Sequence, residues 1–455
     1  MVGRMMDGVR REGDDENNNT LATMRAYSIN LLNQAFKEYY FKHTAMVEVP
    51  DAIQEREFGY SRFDGTMIRH LSIRDRNELI ALLIMNVPAD VYCSAAYYTS
   101  PTRPMEEKGL KAADLIFDID VKELKPRCSN MHDIHLCEEC LEPIDDASSM
   151  CGCGSRRINH VTIPCDECIS LGKREVKKLA RILEDDFGVD EDNIRVYFSG
   201  NYGFHVYVKG RYSLLDSAAR SEVVNYLLGR GVADAIRKRY GRKVREEIRG
   251  KSKSSRSRSG RSIDRDKDKG KKDDDDKRDD AATTTAASYG YDDLKHSDGS
   301  SNNSNDGSIV YIPRSMLAAE GGYGWIGRIG RYLSASAHVS MKSIEDAILA
   351  LSVRIDPNVT IDMHRIFRLP GTLNSKSSLA KIPLPRLSDI DSFNPLIDAC
   401  LISDREVDVY VINAPRFTLK GDSFGPYTHE EVKLPLYAAS YLICKGIAYA
   451  KRKYC

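Results

Sequence analysis

Apolar residues recur every three to four positions from about Thr20 to Phe41, at Leu21, Met24, Tyr27, Leu31 and Ala35, which predicts a helix there. Residues 44–100 mix short apolar strands with one helix around 76–86. The run Leu115-Ile116-Phe117-Asp118-Ile119-Asp120 reads as a buried strand. Residues 171–187 carry a second amphipathic pattern, with Val176, Leu179, Ala180, Leu183 and Phe187 on one face. Two strands, 194–198 and 204–208, flank a short glycine-containing turn, and a further helix is expected over about 215–239.

The pattern lapses in two places. Residues 1–20 are polar and read as disordered. From about Arg249 to Ser308 the chain is built of Lys, Arg, Ser, Asp, Asn and Gly, basic over 251–262 and acidic at Asp273 to Asp276. So little apolar surface cannot offset the entropy of ordering, and the segment reads as a disordered surface insertion. A basic arm for nucleic acid or a partner is the other use of such a composition. Ordered pattern resumes at Ile309-Val310-Tyr311.

A length of 455 residues allows two or three domains, or one core with large insertions. The 67 basic residues balance 67 acidic ones, which excludes a histone-like binder but leaves room for a local basic groove. No apolar run approaches the roughly 18–20 residues that span a bilayer, so no membrane association is expected. The first residues lack the apolar core of a secretory signal, so an intracellular location is expected. There the eleven cysteines stay reduced. Seven of them lie between Cys128 and Cys168, a clustering that points to metal ligation.

Three motifs carry chemistry. Alternate residues of a strand share a face, so Asp118 and Asp120 project together while Phe117 and Ile119 enter the core. Paired carboxylates at a strand end suit hard divalent cations such as Mg²⁺ or Mn²⁺, although a solvated strand end has the same look. In Ser199-Gly200-Asn201-Tyr202-Gly203-Phe204-His205 the glycines let backbone N–H groups approach a ligand, and Ser199 and His205 offer phosphate contacts. An ordinary hairpin turn with a surface histidine is the plainer alternative. The third motif sets Asp356 ahead of Arg365, Arg368 and Leu369-Pro370-Gly371-Thr372-Leu373-Asn374-Ser375-Lys376, a metal-plus-phosphate corner or simply a basic strand and its turn. No Walker-type phosphate loop is present.

In this order the motifs resemble the small catalytic subunit of archaeo-eukaryotic DNA primases, archaeal type. That family runs from an early Arg-Glu-Phe, here Arg56-Glu57-Phe58, through a DID strand end and a cysteine-rich knuckle. SGxxGxH and a third Asp ahead of an R-L-P-G-S-L-H-type turn follow. The resemblance covers about residues 25–245 and 309–400. It implies an α/β primase-polymerase core with a mixed sheet, a zinc-binding insertion and a helical subdomain. The divisions are then a disordered 1–20, core at 21–126, 171–211 and 351–455, and the zinc-binding insertion at 127–170. The helical subdomain takes 212–248 and 309–350, around the charged insertion at 249–308.

The resemblance further implies a template-directed nucleotidyltransferase that starts primers de novo on single-stranded DNA from nucleoside triphosphates. Asp118, Asp120 and Asp356 match the carboxylates that bind Mg²⁺ or Mn²⁺, with Asp362 a competitor for the third place. Ser199, His205 and Arg368 match triphosphate contacts, and Arg56 an arginine kept near the nucleotide. Two departures stand out. Asn374 replaces the usual His of the turn, and Asn201 and Tyr202 stand where the loop often carries Arg, so Arg365, Lys376 or Lys381 must meet phosphate charge. A large regulatory subunit with an iron–sulfur cluster is the implied partner, and the cytoplasm at the nucleoid the implied location if the source is archaeal. A repair-type primase-polymerase and a non-catalytic zinc-containing nucleic-acid-binding module are the alternatives.

The spacing Cys137-x-x-Cys140, Cys151-x-Cys153 and Cys165-x-x-Cys168, with Cys128, suits tetrahedral structural Zn²⁺. By the family pattern the CxxC that leads into a helix is Cys165/Cys168, joined by Cys128 and His132. Cys137, Cys140, Cys151 and Cys153 are then left for a second, inserted ribbon. A single site of Cys137, Cys140, Cys165 and Cys168 is the other partition. Cys93 and Cys400 read as core, Cys444 and Cys455 have no partner pattern, and Trp325 reads as a packing aromatic or a base-stacking platform.

Overall fold

The computed structural model describes residues 12–144, 150–240, 309–311, 323–333 and 338–452. The expected insertion at 249–308, residues 1–11 and Cys455 lie outside the described residues. Helix α1 (Glu12–Lys42) begins earlier than the sequence pattern predicts. Its packed part buries Leu31, Ala35, Phe36, Tyr39 and Tyr40, and extension of a nucleated helix costs little per residue, so the polar stretch from residue 12 is helical rather than disordered.

Strands β1 (Phe58–Ser61) and β2 (Met67–Leu71) precede helix α2 (Arg76–Asn86), which starts where the side chain of Asp75 accepts from the Glu78 N–H at 3.0 Å. Strand β3 (Asp90–Ser94) follows, then β4 (Leu115–Asp120), the predicted LIFDID strand. Strands β5 (Asp133–Cys137) and β6 (Ile158–Thr162) form a hairpin with the cysteine-rich segment at its end. Helix α3 (Asp166–Phe187) begins five residues before the predicted 171, directly after Cys165. Strands β7 (Ile194–Phe198) and β8 (Gly203–Val208) are the predicted pair, and α4 (Ser217–Leu227) follows.

The helix expected over 215–239 is broken. After α4 the chain turns at Gly229 (φ 68°) and Gly231 (φ 75°), left-handed conformations that glycine adopts without strain, and becomes helical again from residue 232. This break divides two compact units, Met1–Arg230 with Leu349–Cys455, and Gly231–Ile348. Helix α4 therefore belongs to the first unit, not to the helical subdomain assigned to 212–248. In the second unit, Ile309–Tyr311 pairs antiparallel with His338–Ser340. Helix α5 (Gly324–Tyr332) buries Trp325 with the Arg328 guanidinium 5.7 Å from its ring, so Trp325 packs rather than offers a stacking face. Helix α6 (Met341–Leu351) returns the chain to the first unit.

There a short helix α7 (Pro357–Ile361) leads to β9 (Ile366–Arg368) and β10 (Ile382–Leu384). One four-stranded sheet has the order β9-β3-β1-β2 and another β10-β7-β8-β4. A third joins β11 (Glu406–Ala414) to β12 (Tyr427–Pro435) and, beyond helix α8 (Leu436–Cys444), to β13 (Ala448–Ala450). The expected mixed sheet is corrected: among the described residues every strand pairing is antiparallel, in separate sheets. Helix α3 covers the β4–β8 face with Val176, Leu179, Ala180 and Leu183, all shielded from solvent.

Candidate active site and metal centres

Alternation along β4 works as its sequence demands. Phe117 and Ile119 are fully buried, while Asp118 and Asp120 reach an open cleft of about 970 Å³. Asp120 caps the following turn by accepting from the Lys122 N–H at 2.9 Å. Asp356 caps α7, its carboxylate accepting from the Asn358 N–H at 2.9 Å. The Asp356 N–H in turn donates to the Asp118 carbonyl at 3.1 Å, which fastens the start of α7 to β4. Burial, and then the negative charges of Asp120, Asp356 and Glu123, push the Asp118 carboxyl up to about 7. Glu123 is itself raised, by its partial burial and then by Asp120 and Asp356. Carboxylate oxygens are the donors that suit a hard divalent cation. Asp362 sits elsewhere, 3.7 Å from the Arg365 guanidinium.

Strand β8 runs antiparallel to β4 with His205 opposite Asp118 and Gly203 opposite Asp120. A Cβ on Gly203 would stand 2.3 Å from the Ile119 carbonyl oxygen, so only glycine lets the strands meet there. The Ser199 hydroxyl accepts from the Gly203 N–H at 3.2 Å and closes the turn. His205 has Nε2 3.6 Å from an Asp118 oxygen and Nδ1 3.2 Å from Lys381 Nζ. Burial, then Lys381 and Arg368, hold its pKa well below 6.5, so the imidazole is neutral. Lys381 is fully buried and also donates to the Tyr207 hydroxyl (3.0 Å) and the Arg368 carbonyl (2.9 Å). Burial and then the Arg368 charge bring its ammonium down to about 7.

The Leu-Pro-Gly-Thr-Leu-Asn turn forms the basic corner of the same cleft, which Arg368, Asn374 and Lys376 line. Arg368 pairs with Asp90 and donates to the Leu373 carbonyl at 2.9 Å. Asp90 also accepts from the Ser375 N–H (2.9 Å) and hydroxyl (2.7 Å). Burial works to raise its pKa, but Arg368 and Ser375 outweigh it, and Asp90 stays below the usual range. The Asn374 side-chain oxygen accepts from the Lys376 N–H at 2.8 Å, so its carbonyl serves the turn.

The cysteines assemble into two groups. Cys128, His132, Cys165 and Cys168 bring their ligand atoms within 4.8 Å of one another, as do Cys137, Cys140, Cys151 and Cys153. Either group could hold a metal such as zinc. The partition of Cys137 and Cys140 with Cys165 and Cys168 does not form. In the first group Cys168 Sγ lies 3.1 Å from His132 Nε2 and 3.3 Å from Cys128 Sγ. His132 Nδ1 lies 3.0 Å from an Asp133 oxygen, the outer-shell partner that orients a ligating imidazole. Cys93 and Cys400 are buried in the core, and Cys444 lines the cleft.

A sequence model described as DNA primase small subunit matches residues 156–385. A DNA primase small subunit PriS of Nitrosopumilus maritimus is 39% identical over 93% of this chain and 99% of its own length. Those of Cenarchaeum symbiosum and Archaeoglobus fulgidus are 38% and 30% identical, each over 92% of this chain and 98% and 97% of their own lengths. The chain belongs to the DNA primase small-subunit family.

Arg56 lines a smaller pocket that Arg368 and Leu369 also line. It is 1% exposed and outside the carboxylate cleft. Its guanidinium holds Asp114 at 2.8 Å, donates to the carbonyls of Asp51, Ser94 and Ala95, and lies 3.5 Å from the centre of the Tyr97 ring. Its neighbour Glu57 is equally buried, between Lys108 and Arg69. The loop residue Tyr202 lines the cleft and donates its hydroxyl to Cys168 Sγ at 3.3 Å. Asn201 accepts from Lys445 Nζ at 3.0 Å.

Sequence reasoning missed several groups here. Lys122 and Glu123 lie two and three residues beyond the DID motif, a spacing from Asp118 that the sequence displays. Asn159 and His160 on β6 and Lys445 after α8 also line the cleft. Nothing local in the sequence marks Lys445 as a cleft residue. No helix of the described residues is long and apolar enough to cross a membrane.

Proposed function

We propose that this chain is the catalytic subunit that starts primers de novo on single-stranded DNA, joining nucleoside triphosphates, ribonucleotides among them, under template direction. One observation supports the reading above others: the Asp356 N–H bonded to the Asp118 carbonyl ties the start of α7 to β4, beside a cleft that Asp118 and Asp120 line together with Arg365, Arg368, Lys376 and Lys445. Asp118, Asp120 and Asp356 would hold Mg²⁺ or Mn²⁺. When bound, such an ion lowers the pKa of the attacking 3′-hydroxyl and neutralises phosphate charge.

The remaining work falls to this chain's own groups. His205 lines the cleft as a neutral imidazole, and its ring N–H would donate to a phosphate oxygen. Arg368 and Lys376 supply positive charge for the triphosphate. Asn374 has its amide N–H₂ left for phosphate, and Ser199 its hydroxyl proton. Acceleration comes from preorganised charge rather than a covalent intermediate. The zinc groups have a structural part, and the family name supports a large subunit as partner.

The test is primer synthesis on an unprimed single-stranded DNA template with Mg²⁺ or Mn²⁺ and both nucleotide types. Wild type should give product, and the Asp118→Ala/Asp120→Ala variant should lose at least about 10³-fold, the scale of the lost charge stabilisation. Equal product from both proteins would sink the assignment.

A further inference from the structure

The second cysteine group lies at the end of the β5–β6 hairpin and shares no residue with the first. Cys137 Sγ stands 3.6 Å from Cys153 Sγ, and Cys140 Sγ 3.4 Å from Cys151 Sγ. Four sulfurs at tetrahedral corners, each about 2.3 Å from zinc, stand about 3.8 Å apart. The observed spacings are close to that and far longer than the ~2.05 Å of a disulfide. The Glu139 N–H points at Cys137 Sγ from 3.4 Å, as a donor that stabilises a thiolate. The group is all sulfur, a soft donor set that selects Zn²⁺ over the hard cation suited to the cleft.

Its position in the fold gives it a task. Strand β6 pairs with β5, Ile158 opposite Cys137 and His160 opposite His135. Asn159, His160 and Thr162 on β6 line the cleft that holds Asp118. The hairpin packs on the core through Leu136 and Val161, but with only two strands it has no third to hold its cysteine-bearing end, where an anchor would stiffen this wall. We propose that Cys137, Cys140, Cys151 and Cys153 hold a second Zn²⁺, independent of the first, that fixes the β5–β6 wall of the cleft. The site rests on the four sulfurs alone; only its bearing on primer synthesis rests on the function proposed above.

The experiment is elemental analysis of the full chain, with cobalt substitution. Wild type should carry two zinc ions, and Cys140→Ser/Cys153→Ser, which alters the two exposed cysteines, should carry one. Cobalt-loaded wild type should show the tetrathiolate ligand-field bands beside those of the S₃N site, and the variant only the latter. Amide exchange over 158–162 should quicken at least tenfold in the variant. A single zinc in wild type, or two in the variant, overturns the site, and the wild-type count decides even if the variant does not fold. Zinc lost with exchange unchanged overturns the anchoring role. The Asp118→Ala/Asp120→Ala protein should keep both zinc ions, so failure of the active-site reading and failure of this one are told apart.

Discussion

At Gly203 one missing atom lets β8 lie against β4. The Ile119 carbonyl oxygen would lie 2.3 Å from a Cβ there, and it belongs to the backbone, which cannot swing aside. Gly203→Ala should cost about 3 kcal/mol, the upper part of the range for overpacking, as read by urea unfolding. It should also lower primer synthesis, because Ser199 and His205 are both placed by this strand. Single residues are where the sequence was most informative. The motif Arg-Glu-Phe marks Arg56 as special, but not whether it is buried, as it is against Asp114, or exposed. A charged side chain has the same letter in both settings, and only the burial around it tells them apart.

Between elements, the loop before β8 is tied to the metal group at the start of α3. The Tyr202 hydroxyl reaches Cys168 Sγ, so the turn bearing Ser199 and the first cysteine group share one hydrogen bond. Tyr202→Phe should keep its zinc and lose about 1.5–3 kcal/mol of stability, the value of a bond to a charged acceptor. The KM for nucleotide should rise more than kcat falls, since the loop is displaced and the carboxylates are not. An unchanged KM would mean that the bond serves packing alone. The strands and most helices of this region were legible in sequence, because side-chain periods of two and about 3.6 are local properties. The strand directions were not. Antiparallel pairing of β4, β8, β7 and β10 follows from how distant segments return, which no local period records.

For the molecule as a whole, the two units meet the chain at neighbouring points. The Val353 N–H donates to the Leu227 carbonyl at 3.0 Å, so the first unit's two chain segments are joined near where the second is inserted. A chain with Gly231–Ile348 replaced by a short Gly/Ser linker should therefore fold, with one cooperative thermal transition and unchanged metal content. Loss of cooperative unfolding would show that the first unit depends on the second. The boundary at Gly231 escaped sequence reading because the apolar pattern runs on past it. Two glycines are a weak signal beside a continuing helical pattern, and their left-handed conformation is visible only in the folded chain.

The amino-acid sequence by itself determined what depends on near neighbours. It set the alternation that turns Asp118 and Asp120 to one face, the tight turn before His205, the capping Asp356 ahead of Pro357, and the cysteine spacings. Tertiary structure alone decided which distant groups meet. It tied Asp356 to β4 through a backbone bond, brought Lys381 against His205, set Lys445 on the cleft and sorted the cysteines into two groups of four. The reason is physical: many long-range pairings are compatible with one local pattern, and packing and hydrogen bonding across the whole core select among them.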